Sequence, residues 1–266
     1  MMEWSVNPDW IRAGAFVVAL LGLLTWERIA PRRRPTALAR RWFGNMGLLL
    51  SGTLFVRIVL PIVPVGVALW AQTQGLGLLN LVAIPPWLSV VAGVMILDFA
   101  IYWQHRAMHA VPLLWRLHRV HHADTGFDVT TALRFHPLEI GLSLLYKFAV
   151  IVLFGASPIA VFVFELLLNI SAMFNHSNIR LPESVDRVLR RVLVTPDFHR
   201  VHHSSRESET NQNFGFCLTL WDYLFGSYTA QPRSAHEQME IGLSEFRRDS
   251  ENGLVALLTQ PFRRPN

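Results

Sequence analysis

Only 16% of the 266 residues are charged while 52% are hydrophobic, against about 25% charged in a soluble domain; this balance excludes an ordinary soluble globule and a disordered chain. The single cysteine, Cys217, excludes an intrachain disulfide and a cysteine-built zinc or iron–sulfur site. The net charge of +5 suits an anionic membrane surface and not nucleic acid, since no recognition module accompanies it.

The first apolar run, Ala13 to Trp26, ends at Glu27-Arg28. Glu3 and Asp9 precede it where a signal peptide needs a basic start, so an uncleaved helix is expected. Arg32, Arg33, Arg34, Arg40 and Arg41 follow and should stay in the cytoplasm, with the N-terminus outside. From Ile58 to Leu97 there are 40 residues without Asp, Glu, Lys or Arg. That length allows two crossings of about 20 residues, turning between Gln72 and Pro86. The second helix should begin near Phe43 and carry Arg57, Pro61 and Pro64. The third should begin near Pro86 and run through Asp98 to His105. Ile140 to Phe174, broken at Gly155-Ala156-Ser157-Pro158, reads as a short helical hairpin. Ser177 to Asn266 is mixed and polar, and reads as a cap on the helix ends.

The expected fold is all-α: a polytopic membrane helical bundle with a cytosolic histidine-rich helical cap. Its divisions are N-terminal transmembrane helices over 1–80, a histidine-bearing catalytic core with a transmembrane helix and the hairpin over 81–230, and a polar tail over 231–266. Ten of the 11 histidines fall between His105 and His203. Counting crossings from an outside N-terminus puts all ten on the cytosolic face. His236 stands alone in the tail and is expected to face solvent.

Three histidine clusters stand out. His105-Arg106-Ala107-Met108-His109 is the first. His118-Arg119-Val120-His121-His122 is the second, and the same pentapeptide returns as His199-Arg200-Val201-His202-His203. On a helix, positions i, i+3 and i+4 lie within an arc of about 100°, so each pentapeptide presents three imidazoles to one side. Neutral imidazole is the commonest metal ligand. Eight exceed what one metal can use, and two metals fit, of the borderline kind: iron, copper, nickel or zinc. A structural role does not explain the same helical spacing twice. His136, before the hairpin, and His176, after it, lie at the right depth to join as ligands or to cap helix ends.

HRAMH, the two HRVHH boxes, Asn213-Phe214-Gly215 and Trp221-Asp222-Tyr223-Leu224-Phe225-Gly226 resemble the fatty acid hydroxylase / sterol desaturase superfamily over about Trp87 to Tyr228. Its alkylglycerol monooxygenase-like and bacterial sterol desaturase branch is the most similar. The resemblance implies a membrane enzyme with two iron ions that uses O2 and an external electron donor, protein or small reductant, to hydroxylate or desaturate a lipid. It implies His105, His109, His118, His121, His122, His199, His202 and His203 as ligands, with a further one near His176. Zinc can occupy such sites on purification. Asp98, two turns before His105, is expected to hydrogen-bond a ligand imidazole, or else to pair with Arg57. Glu139 and Asp222 are further candidates for holding ligands. Two rival readings are a membrane zinc hydrolase, which lacks the H-E-x-x-H signature here, and a non-enzymatic metal-handling protein, whose ligands belong nearer the membrane midplane.

Overall fold

The computed structural model describes residues 8–35 and 39–264; Glu3, used above against a signal peptide, lies outside them. Five long segments form the bundle. They are α1 (Pro8–Ile29); α2 (Ala39–Val59) continued by α3 (Pro64–Thr73) and α4 (Leu78–Leu81); α5 (Pro86–Ala110); α7 (Pro137–Phe154); and α8 (Pro158–Asn175). Each is long and apolar enough to cross a membrane, with Ala39–Leu81 counting as one. Between and after them lie α6 (Pro112–His122), α9 (Glu183–Leu189), α10 (Pro196–His202), α11 (Glu207–Thr210), α12 (Leu220–Leu224) and α13 (Leu254–Thr259). Among the described residues there is no strand, only three isolated bridges.

Proline sets many of the helix starts. It opens α3, α5, α6, α7, α8 and α10, where its missing N–H is one of the donors a helix leaves unpaired anyway. The same chemistry breaks the second crossing. Pro61 and Pro64 interrupt it at Leu60–Val63, and α3 resumes as a separate rod. At the tip of the hairpin Gly155 takes the left-handed conformation (φ 68°). Gly77 (φ 92°) packs against it so closely that a Cβ there would lie 2.1 Å from the Gly155 nitrogen.

The bundle core joins α3, α5, α7 and α8 through Ala68, Leu97, Ile151, Val161 and Phe164. Lipid is as apolar as these side chains, so close packing holds such helices together more than water exclusion does. Gly93 brings α5 against Ala156 and Ala160. Glu165 of α8 accepts from Lys147 of α7 at 3.2 Å and pairs with Arg12 of α1 at 3.1 Å. The opposite helix faces leave Val18, Leu21, Leu54, Val91 and Leu153 exposed, as a lipid-facing surface requires.

All five segments share one end with the cap. Glu27 near the end of α1 accepts the N–H groups of Val129 (2.7 Å) and Asn178 (2.5 Å). Arg41 near the start of α2 is buried against Asp124, Asp128 (2.5 Å) and Thr131 (3.0 Å). From there α2–α4 lead to the Gly155 tip, α5 returns, α7 leaves and α8 comes back. Five crossings therefore place the start of α1 opposite the cap. Arg134, fully buried, donates to Val120 O (2.8 Å), Asn45 (3.2 Å) and Asn252 (2.9 Å). Residues 231–264 fold back onto this layer: Leu257 packs on Leu48 and Val120, and Met239 and Ile241 pack on Phe127. His236 is correspondingly buried and not solvent-facing, with Nε2 3.7 Å from Asp197.

Candidate metal centre

Four elements bring nine histidines to the cap end of the bundle. α5 supplies His105 and His109 from successive turns. α6 supplies His118, His121 and His122. His176 is the C-cap of α8, and His199, His202 and the C-cap His203 come from α10. They sort into two groups: His105, His109, His118, His122 and His202; and His121, His176, His199 and His203. Within each group one ring nitrogen per residue lies within 4.8 Å of all the others.

The outer hydrogen bonds decide which nitrogen points inward. Nδ1 of His105 donates to Phe214 O (2.8 Å), of His118 to Glu139 (2.6 Å), of His176 to Ala172 O (2.6 Å) and of His202 to Gln212 O (2.7 Å). Nδ1 of His109 faces Asn211 Oδ1 at 3.2 Å. Each acceptor fixes the proton on Nδ1 and leaves a lone pair on Nε2. Those Nε2 atoms converge. His122 Nε2 lies 3.1 Å from that of His109 and 3.2 Å from that of His118, while His176 Nε2 lies 3.0 Å from those of His121 and His199.

Buried nitrogens remain without partners: Nε2 of His202, Nδ1 of His121 and His199, and both nitrogens of His203. Leaving such atoms unpaired costs about 1–3 kcal/mol each. A cation in each group would take up the inward lone pairs, that of His202 Nε2 in the first and that of a His203 nitrogen in the second among them, so the residues fit a metal pair. The donors are neutral nitrogens without a carboxylate, the set that borderline metals take. Burial, reinforced by neighbouring imidazoles, holds His121, His122, His199, His202 and His203 well below the usual imidazole range, and burial brings His176 down to about 4. These rings are therefore neutral at pH 7 and able to ligate. Aromatic rings wall the centre: Phe135 stacks on His121 at 4.4 Å, Trp115 lies 4.9 Å from His109, and Phe127 lies 5.2 Å from His203.

His136 stands outside both groups. Its Nδ1 caps α7 by accepting from Leu138 N–H (3.2 Å), and its Nε2 faces Leu258 O (3.1 Å). Glu139 holds His118 as its position suggests. Asp98 touches neither an imidazole nor Arg57; it accepts from Cys217 N–H (3.2 Å) and the Trp221 indole (2.9 Å), clamping the segment after the last histidine box onto α5. Asp222 accepts from Phe214 N–H (2.8 Å), Gly215 N–H (2.7 Å) and Ser227 (2.7 Å). It thereby holds the loop whose Phe214 carbonyl orients His105. Burial raises its carboxyl to about 6. Sequence reasoning missed the carbonyls of Ala172, Gln212 and Phe214, because a backbone acceptor has no residue signature. The nearest signal was Asn213, which sits at φ 56° and ties Phe198 O and Thr229 together beside Phe214.

The profile of the fatty acid hydroxylase family matches residues 90–227, which contain all nine histidines. Alkylglycerol monooxygenase of Homo sapiens is 31% identical over 167 residues, 59% of this chain and 33% of that protein. Ornithine lipid hydroxylase OlsE of Rhizobium tropici is 32% identical over 185 residues, 68% of this chain and 52% of that protein. A very-long-chain aldehyde decarbonylase of Oryza sativa is 30% identical over 172 residues, 62% of each. The chain thus spans between a third and about half of the first two relatives' length. No solved structure matches it.

Proposed function

Because the chain belongs to the fatty acid hydroxylase family, we propose that it is an integral membrane oxidoreductase. It hydroxylates, or desaturates, a C–H bond of a lipid, acyl chain or sterol-like substrate with O2, two iron ions and an external electron donor. The observation that carries this reading is the convergence of nine imidazoles, eight buried and His109 half-buried, five of them with Nδ1 against a fixed acceptor. His105, His109, His118, His122 and His202 would hold one ion, and His121, His176, His199 and His203 the other. A bound redox-active pair supplies the O2 activation that an unactivated C–H bond demands, because such a bond offers no handle to acid–base catalysis.

The chain's own part is positional. Glu139 and the carbonyls of Phe214, Gln212 and Ala172 hold the imidazoles in one tautomer and one rotation. Phe135, Phe127 and Trp115 keep bulk water off the rings. The site lies at the cytosolic ends of apolar helices, where a lipid chain reaches it from the bilayer and an acidic carrier can dock on the basic cap. Relatives named for hydroxylating ornithine lipids and for alkylglycerol monooxygenation favour hydroxylation over desaturation.

The test is a metal count on protein from iron-replete cells, followed by incubation with labelled O2, a reductant and total membrane lipid. Two ions per chain and one labelled oxygen in a product lipid are expected. Desaturation would give an unlabelled double bond instead. One ion or none in folded protein ends the two-metal reading. Cleavage of an ester or amide without O2 would establish the zinc hydrolase, and bound metal without turnover a metal-handling protein.

A further inference from the structure

A cavity of about 350 Å³ opens on the outside of the bundle between α2, α6, α7 and the turn Gln260–Phe262. That size falls within the range of about 300–1,000 Å³ typical of ligand sites. Its walls are apolar, and Arg116 is the one charged residue among the described residues that line it. Leu113 and Phe262 stand exposed at its mouth, as does Arg116. Among the described residues no hydrogen bond or ion pair occupies the Arg116 guanidinium, in contrast to Arg119 one turn on, which donates to Gln260 O and Arg263 O at 2.6 Å.

The cavity shares two helices, α6 and α7, with the metal centre and the carboxylate that holds it. On α6, Leu114 and Leu117 line it, four residues and one residue before His118. On α7, Leu138 and Leu142 line it and flank Glu139, which accepts the His118 proton at 2.6 Å. The His118–Glu139 pair thus sits on the same two helices, one residue beyond Leu117 and Leu138. Its outer wall belongs to α2 and α7, two of the membrane-spanning segments, so acyl chains of the bilayer run past its mouth.

We propose that this groove is the substrate subsite: it takes one acyl chain of a phospholipid-type amphiphile, apolar chain along Leu114, Leu138 and Leu142, with Arg116 holding the headgroup phosphate. The assignment rests on the oxygenase reading for its consequence but not for its test. A chain fits better than a helix of another protein, because the groove is narrow in capacity and continuous with the lipid-facing surface. One unpaired guanidinium beside an apolar slot is the complement of one anion on one chain.

The experiment uses the full chain in phospholipid nanodiscs. They contain either phosphatidic acid or a neutral diacylglycerol, each carrying a diazirine midway along one chain. After irradiation, adducts are mapped by mass spectrometry. Peptides covering 112–122 and 137–154 should be labelled several-fold more than the lipid-exposed face of α8 around Leu167 and Ile170. Leu142→Trp, which fills the slot from a half-exposed position, should cut that labelling several-fold and leave the α8 adducts unchanged. Arg116→Gln, at an exposed position, should abolish the preference for the phosphate probe. Equal labelling of groove and α8 face, or no response to Leu142→Trp, overturns the subsite. An unchanged headgroup preference in Arg116→Gln overturns the phosphate contact, and labelling displaced only by an added protein helix assigns the groove to a partner. Labelling needs neither metal nor O2. A labelled groove in a protein that oxidises no lipid removes the oxygenase reading alone, and equal turnover by wild type and Leu142→Trp removes the groove alone.

Discussion

Glu139 reaches His118 Nδ1 at 2.6 Å from the first turn of α7, and both side chains are buried. Removing the carboxylate leaves the Nδ1–H without an acceptor and frees the ring to turn. Glu139→Ala should weaken metal binding by about 10–100-fold, whereas Glu139→Gln, which keeps an acceptor oxygen, should retain most of it. Competition with a chelator of known affinity measures both. The histidines themselves were legible because helical spacing is local: His118, His121 and His122 declare a common face without any tertiary information. Asp98 was not legible, because its partners Cys217 and Trp221 lie more than a hundred residues away. Arg32 and Arg33 read from sequence as topology signals. They also fasten the cap, Arg32 to Asp197 (3.0 Å) and Arg33 to the carbonyls of His236 (2.8 Å) and Met239 (2.7 Å).

At the scale of elements, α2 and the C-terminal segment touch through a glycine. A Cβ at Gly44 would lie 2.1 Å from the backbone oxygen of Asn252 and 2.9 Å from Leu257 Cδ1. A backbone oxygen cannot swing away as a side chain can, so Gly44→Ala must separate the two elements. The expected cost is about 1–3 kcal/mol, read as a lowered melting temperature and as faster proteolysis within 249–264. The five crossings were legible from apolar length alone, and the hairpin from Gly155 and Pro158. The division of the second crossing at Pro61 and Pro64 was less so, since proline can bend a membrane helix without ending it. The return of α13 was hidden for a different reason. Helices of four to seven residues carry too few turns to show a period, and residues 231–264 owe their place to contacts with Leu48, Val120 and Phe127.

For the whole molecule, an odd number of crossings puts the start of α1 and the cap on opposite sides. By the positive-inside rule, Arg34 and Arg40, both exposed, predict a cytosolic cap. A reporter fused after Asn266 should be active in the cytoplasm, and activity on the other side would reverse the assignment. The two identical pentapeptides have one more consequence. α6 gives His118 and His122 to the first histidine group and His121 to the second; residues 199–203 give His202 to the first and His199 and His203 to the second. Each helix is thus a lever shared by both groups. If each group holds an ion, filling either would fix the rotation of both levers and favour the other, so metal uptake is predicted to be cooperative, with a coupling of about 1–3 kcal/mol. Native mass spectrometry at half saturation should then find chains with no ion or two ions, and few with one. Independent sites of equal affinity would instead leave about half of the chains singly loaded.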